Sequence, residues 1–314
     1  TMTGELVDCF ANRNEGVHSI IAAMQNLLPD QDLSIYAGNR GFLSAADVTL
    51  NDAPFIASAN WLASAALAAT RVHNGLFVDI GSTTTDILLL ENQAVAAQGY
   101  TDYQRLVSGE LLYTGVVRTA VMAVCQQALF KGQTMGLMAE YFATMADVYR
   151  LTSDLNPAHD QSETADGADK TLNASAIRLS RMTGYEFSAS EWPVWLAFAD
   201  TLKQQQKTSI QRACLQQLKR HPDWQNLSLI GAGIGRFLLR EIAAELHMQY
   251  LDFDKQQLRN SKPVTALRPS RLLIWPPAWF IGNACYRICA PIRLHAYCTL
   301  LILLNARKIS FTVF

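Results

Sequence analysis

The stretch 76-LFVDIGSTTTDILLL-90 sets two apolar runs around a knot of one Gly, one Ser and three Thr, with Asp79 and Asp86 at its ends. Short apolar runs on either side of a Gly-bearing turn predict a buried antiparallel hairpin, LFVDI followed by TDILLL. Four hydroxyls and two carboxylates inside such a hairpin call for a reason. A tight turn at Gly81 directs backbone N–H groups outward, and Ser82, Thr83, Thr84 and Thr85 add uncharged donors, a combination that suits phosphate oxygens. Asp79, ending the first strand, is placed to sit beside a Mg²⁺ ion that the phosphates share. The competing reading is a decorated hairpin, in which Thr serves the strand and Asp caps the turn. The local texture leaves both open.

A second glycine site lies at 228-SLIGAGIGRFLLREIAAEL-246, where a strand feeds a Gly-rich turn that opens a helix. Gly231, Gly233 and Gly235 let a ligand approach the backbone, and the helix N-terminus favours an anion or a dipolar ring edge. A dinucleotide (NAD) fingerprint is one reading, and Asp252 and Asp254 stand at a suitable distance. The glycines, however, run G-x-G-x-G, with Arg236 where the last fingerprint Gly belongs.

Around these sites the pattern predicts helix 13–27, strand 32–37, a loop with Gly38 and Gly41, and a helix over 53–70. A third strand at 93–98 extends the hairpin into a meander. A Gly-rich element, 104-QRLVSGELLYTGVVRT-119, and a helix near 138–151 come next. The polar segment 154–171 reads as a long surface loop, a candidate lid. Helices over 173–183 and between Ser190 and His221, strand 227–233, helix 236–246 and strand 248–254 complete the pattern. The domains expected are 1–72, 73–254 and an atypical tail, 255–314.

The tail stands apart by composition. The chain has 314 residues, half of them apolar, with a net charge of −1, and all 27 of its Asp and Glu lie at or before residue 254. Two apolar pieces, 272-LLIWPPAWFIG-282 and 294-LHAYCTLLILL-304, are each too short to span a bilayer. The tail is therefore expected to lie outside the evolved fold, for instance as an out-of-frame translation, rather than to be a membrane segment. The balanced charge gives no case for nucleic acid as a partner. Cys9, Cys125 and Cys214 read as the isolated thiols of a cytoplasmic protein, and Cys285, Cys289 and Cys298 with His295 match no zinc spacing.

A strand–hydroxyl turn–strand near residue 80 with a strand–Gly turn–helix near 232 is the layout of the actin-like, sugar-kinase and Hsp70-type ATPases. Asp79-Ile80-Gly81-Ser82-Thr83 fits their D-x-G-[ST]-T pattern, and Gly231-Ala232-Gly233 fits their adenosine turn. The phrase D-I-G-S-T-T-T-D resembles the opening of the second domain in the hydantoinase/oxoprolinase family. The texts 58-SANWLASA-65, 104–119, 140-EYFATMADVYRL-151 and 164-TADGADKT-171 resemble its branch linked to tetrahydromethanopterin one-carbon metabolism and methanofuran synthesis. The resemblance covers roughly residues 1–254. It implies an α/β protein of the actin-like ATPase (ribonuclease H-like) fold, with the second domain largely complete and the first partial, because the family's first D-x-G-G hairpin is missing. It implies an enzyme that condenses a furan-methanamine diphosphate with γ-glutamyltyramine. The alternatives are an ATP-dependent hydrolase of cyclic amides and a non-catalytic nucleotide-binding remnant. The implied cofactors are Mg²⁺ and, as the second candidate for the hairpin, ATP. The implied partner is a phosphorylated small molecule, without a membrane span, and a homodimer is the candidate assembly.

The site expected from this reading has Asp79 on the metal side and Gly81, Ser82, Thr83, Thr84, Thr85 and Asp86 around the phosphates, with Asp86 capping the turn or orienting the hydroxyls. Gly231, Gly233 and Gly235 take the nucleotide end. Glu110 and Arg118 are the further catalytic candidates, Arg118 pairing with a diphosphate or carboxylate. Gly109, Thr114, Gly115 and Asp147 are candidates on the substrate side. Glu140, Asp147 and Arg150 could equally form a surface charge stripe, His159 and Asp166 could belong to the lid, and Tyr113 reads as core.

Overall fold

The computed structural model describes residues 2, 4, 5, 9–225 and 227–254, and the backbone of a short strand pair at 304–305 and 308–309. The remaining expectations for the tail, including its apolar pieces and its Cys and His residues, lie outside the described residues. The chain divides into two compact units, one within residues 1–67 and one within 68–259.

In the first unit, α1 (Arg13–Leu27) is capped by Asn12, whose side chain accepts from Glu15 N at 3.0 Å. Its Val17, Ile21 and Met24, spaced for one helical face, are buried with Ile35, Ala53 and Ile56. Strands β1 (Ser34–Tyr36) and β2 (Phe42–Ser44) pair antiparallel. The helix expected over 53–70 is two helices, α2 (Ala53–Ile56) and α3 (Asn60–Ala69). Ala57 is extended and Ser58 has φ 52°, with the Ser58 N–H and hydroxyl donating to Glu5 Oε1 at 2.9 and 3.2 Å. A tertiary hydrogen bond thus overrides Ala-rich helix propensity.

The second unit is built on β3 (Gly75–Ile80) and β4 (Thr85–Glu91), the hairpin expected from the sequence, followed by a short β5 (Ala94–Val95). Then come α4 (Asp102–Ser108), β6 (Leu111–Leu112), α5 (Val121–Val124) and the hairpin β7 (Gln127–Phe130)–β8 (Gln133–Gly136). The helices α6 (Met145–Leu151), α7 (Leu172–Arg181) and α8 (Trp192–Leu218) precede β9 (Ser228–Ala232), α9 (Arg236–Glu245) and β10 (Gln249–Asp252). Among the described residues the main sheet runs β10-β9-β3-β4-β5, with β6 also on β4. β3 and β4 are antiparallel, whereas β9 lies parallel to both β3 and β10. An α/β unit results.

Leu76, Val78, Ile80, Ile87 and Leu89 form one sheet face and belong to a core shared with Val116, Tyr149, Trp195, Phe198, Leu202, Leu238 and Ile242. The other face carries Phe77, whose ring meets the edge of Phe253 at 5.7 Å. Asp79 pairs in register with Asp86 on that second face. Burial on both faces explains why these strands read as continuous apolar runs rather than alternating ones.

One expectation in this unit is corrected, one hairpin was not anticipated, and the long loop is tethered. The helix near 138–151 begins only at Met145, where Thr144 and Asp147 form a capping box. Segment 127–136, for which no element was expected, is the β7–β8 hairpin, turned by Lys131 and Gly132 at φ 49° and 78°. The expected surface loop 154–171 is tethered by ion pairs: Asp160 meets Arg150 and Lys170, and Asp166 meets Arg178 and Arg181.

Candidate functional site

The hairpin turn is shaped by where its carbonyls go. Gly81 N closes the turn onto Thr84 O at 2.9 Å, and Ile80 O accepts from Gly235 N at 2.9 Å. Gly81 O accepts from Val116 N at 3.0 Å, and Ser82 O accepts from Val117 N at 3.1 Å and Arg118 N at 2.8 Å. The carbonyls of Ile80, Gly81 and Ser82 are thus taken by protein N–H groups. Among the described residues no protein acceptor takes the N–H groups of Ser82, Thr83 or Thr84. Successive N–H groups without a protein acceptor can form an anion-binding concavity. Arg118 Nε donates to Thr83 Oγ1 at 2.6 Å, so a guanidinium sits on the rim of that concavity.

The two glycine motifs, 150 residues apart in sequence, meet here. β9 runs parallel beside β3, pairing Asp79 with Ala232. Gly233 has φ 79°, and a Cβ there would lie 2.3 Å from Asp79 Oδ1 and from Ile80 O. On the opposite flank, a Cβ on Gly115 would lie 2.4 Å from Thr83 N and 2.5 Å from Ser82 C. Side chains at either position would occupy the space where the three backbone segments touch.

Asp79 is the chemically distinctive group. Its carboxylate accepts no hydrogen bond and makes no ion pair among the described residues. Burial, followed by the negative charges of Asp86 and Asp254, pushes its pKa from 3.8 up to about 7, with Arg236 opposing. Arg236 is itself tied to Asp254, with Asp252 at 3.8 Å. His159, from the long loop, is held below its usual pKa by burial and by the charge of Arg236.

Residues 1–260 match the family model for Hydantoinase/oxoprolinase, which is most of the chain. The chain belongs to the hydantoinase/oxoprolinase family. Two relatives are named (4-{4-[2-(gamma-L-glutamylamino)ethyl]phenoxymethyl}furan-2-yl)methanamine synthase. The one from Methanocaldococcus jannaschii is 33% identical over 182 residues, covering 58% of this chain and 54% of the relative. The one from Methanococcus vannielii is 34% identical over 109 residues, covering 35% and 49%. The chain thus spans about half the length of these curated relatives. A nucleotide-free acetone carboxylase structure aligns with a TM-score of 0.48 at 11% identity, covering 71% of this chain and 34% of that one, a slight likeness.

In this hydantoinase/oxoprolinase chain several residues expected at the site are occupied elsewhere. Thr85 is fully buried and donates to Thr114 O at 2.7 Å, away from the cradle formed by residues 81–84. Asp86 is paired with the buried Arg105 at 2.6 Å, so it anchors α4 to β4 instead of facing a phosphate. Burial raises its pKa, and Arg105 works against that shift. Glu110 is wholly buried, accepting from Gln98 N at 2.7 Å, Gly99 N at 3.1 Å and Ser108 Oγ at 3.0 Å. It fastens a loop and touches no site surface. Gly109 is the left-handed C-cap of α4, φ 74°. Gly231 lies under the Tyr250 ring, and Gly235 lies against Ile80 and Val116.

Asp147 is not on a substrate side. It is 1% exposed, and its Oδ1 accepts from Arg178 Nη2 at 2.7 Å, Ser175 Oγ at 2.8 Å and Arg150 Nη1 at 3.0 Å. The surface stripe proposed for Glu140, Asp147 and Arg150 is also corrected, since Asp147 and Arg150 face inward to this network. Tyr113, read as core, is 71% exposed beside the site loop. Sequence reading missed Gln206, a fully buried amide that donates to Thr114 Oγ1 at 2.7 Å and Gly115 O at 2.9 Å. Its signal was a Gln on the apolar stripe of α8, in line with Trp195, Phe198, Leu202, Ile210 and Ala213.

Proposed function

We propose that this chain carries the diphosphate-binding half of an enzyme of one-carbon cofactor biosynthesis. The reaction is the condensation of a furan-methanamine diphosphate with γ-glutamyltyramine. We further propose that its second unit is a domain of the actin-like type and that the protein works in the cytoplasm. The observation that carries the reading is the turn at 81–84: its Gly81 and Ser82 carbonyls are taken by protein N–H groups, its Ser82, Thr83 and Thr84 N–H groups meet no acceptor among the described residues, and Arg118 sits on its rim. The names of the relatives, a product with a phenoxymethyl link to a furan, supply the substrate class.

In the reaction the phenol oxygen bonds to the furan methylene carbon as the carbon–oxygen bond to diphosphate breaks, and the phenolic proton leaves. The leaving diphosphate gathers negative charge on its oxygens. The N–H groups of Ser82, Thr83 and Thr84, the Ser82 and Thr83 hydroxyls and the Arg118 guanidinium are arranged to stabilise that charge. Because these donors are fixed by the hydrogen bonds of the turn, they need little reorganisation as the bond breaks.

Mg²⁺ fits this corner. Asp79 is an unpaired carboxylate crowded by other negative charges, and a cation would relieve it. Among the described residues no three metal-ligating side chains gather, so Asp79 would hold the ion with phosphate oxygens and water, the usual habit of Mg²⁺. When bound, the ion would neutralise the phosphates.

Diphosphate release by the 314-residue chain, from furan-methanamine diphosphate and γ-glutamyltyramine without ATP, tests the proposal. Release at a rate lost in Thr83→Ala supports it. Turnover that requires ATP and a cyclic amide would replace it with the hydrolase reading. Silence in both assays would leave a nucleotide-binding remnant.

A further inference from the structure

Gln206 is an expensive residue to place where α8 meets the core. A buried amide loses its water and must recover each hydrogen bond from the protein. Gln206 uses both its donors and its acceptor. Its Nε2 donates to Thr114 Oγ1 at 2.7 Å and Gly115 O at 2.9 Å, and its Oε1 accepts from the Tyr149 hydroxyl. The Gly115 carbonyl can only accept, so the amide has one orientation, and Tyr149 must be the donor to it.

What this amide holds is the segment on which the anion cradle rests. Thr114 O receives the Thr85 hydroxyl, and Gly115 lies in contact with the backbone of Ser82 and Thr83. The next three residues give their N–H groups to Gly81 and Ser82, and the last of them, Arg118, reaches Thr83. The Tyr149 ring stands edge-on to Phe237, 5.1 Å away, on the helix that follows the second glycine turn. The Tyr149–Gln206 pair is therefore wired to both glycine motifs, although neither residue is part of them.

We propose that Gln206, backed by Tyr149, is a positioning residue for anion binding. Its amide sets where the 114–118 segment lies under the 81–84 turn, and so where the turn's N–H groups and Arg118 converge. The inference rests on the proposed diphosphate site and deepens it.

Gln206→Glu is the informative variant, because it keeps size and the Tyr149 bond but turns a carboxylate toward the Gly115 carbonyl. The probe is inorganic pyrophosphate with Mg²⁺, titrated calorimetrically into the 314-residue chain at about pH 8 and about pH 5.5, where a buried Glu regains its proton and can donate again. Relative to the parent at each pH, Gln206→Glu is expected to bind about tenfold more weakly at the higher pH and to recover at the lower one. Gln206→Leu is expected to be weak at both. Purely structural packing would not produce that pH-dependent recovery. If the parent binds and a folded Gln206→Glu matches it at both pH values, the positioning role is overturned while the site stands. If the parent binds no pyrophosphate, the site reading fails and takes this inference with it. Should Gln206→Glu not fold, Tyr149→Phe decides: a severalfold weakening supports the relay, and unchanged affinity overturns it.

Discussion

Gly115→Ala tests how closely the cradle depends on its support. A Cβ at this position would stand 2.4 Å from Thr83 N, 2.5 Å from Ser82 C and 2.7 Å from Gly81 O. All three are backbone atoms, so no side chain can swing aside. Ordinary heavy-atom contact begins near 3.5 Å, so the turn would have to retreat by about 1 Å. Gly115 is not among the residues with left-handed φ, so the cost is steric rather than conformational. Retreat stretches the three hydrogen bonds from Val116, Val117 and Arg118 N, now 2.8–3.1 Å long. Overpacking costs roughly 1–3 kcal/mol, and each weakened hydrogen bond adds up to about 1 kcal/mol. For a unit of this size, a total of roughly 1–6 kcal/mol lowers the melting temperature by roughly 2–24 °C. Thermal unfolding of Gly115→Ala beside Gly136→Ala measures this, since a Cβ on Gly136 meets nothing within 4 Å. Gly115→Ala should also bind Mg²⁺-pyrophosphate at least tenfold more weakly. If the two variants unfold and bind alike, the turn is not held as the structure implies.

Asp79→Asn should stabilise the metal-free protein in a pH-dependent way. Folding raises the Asp79 pKa from 3.8 to about 7, so its stability contribution is fully present below pH 3.8 and is lost as pH rises through about 7. The lost term is roughly 4 kcal/mol at most. The gain in melting temperature for Asp79→Asn should thus be larger at pH 8 than at pH 5, and equal gains would contradict the assigned burial. Asp147→Ala takes from the fully buried Arg178 the carboxylate bonded to its Nε and Nη2 and leaves it Asp166, so it should cost roughly 1–3 kcal/mol in urea unfolding. Unchanged stability with lost turnover would instead restore Asp147 to the substrate side. Arg118→Ala removes an exposed side chain, so stability should change by no more than about 0.5 kcal/mol while diphosphate affinity falls roughly tenfold or more. Unaltered affinity would remove Arg118 from the site.

The hairpin was legible because burial on both faces leaves a continuous apolar run on either side of a Gly-bearing turn. The helices α1, α7, α8 and α9 were legible from periodicity and capping residues. The α2–α3 break was not, since it is imposed by Glu5, more than 50 residues away from Ser58. The β7–β8 hairpin carries its signal in Lys131-Gly132, a pair that supplies two left-handed residues. Charged residues misled the reading most. Asp86, Glu110 and Asp147 stand in motif-like text, yet each is consumed by a buried Arg or by backbone N–H groups, partners that sequence spacing does not reveal. Gln206 was missed for the opposite reason: it is the last of three consecutive Gln in a long helix, matches no motif, and is set apart from the other two by its place on the apolar stripe.

The most direct measurement is amide NMR of the 314-residue chain titrated with Mg²⁺ and the furan-methanamine diphosphate. The account predicts that the N–H signals of Ser82, Thr83 and Thr84 shift first and furthest, together with the Arg118 side chain, and that Thr83→Ala weakens the response. Shifts that leave residues 81–84 unmoved while signals change elsewhere in the chain would contradict it.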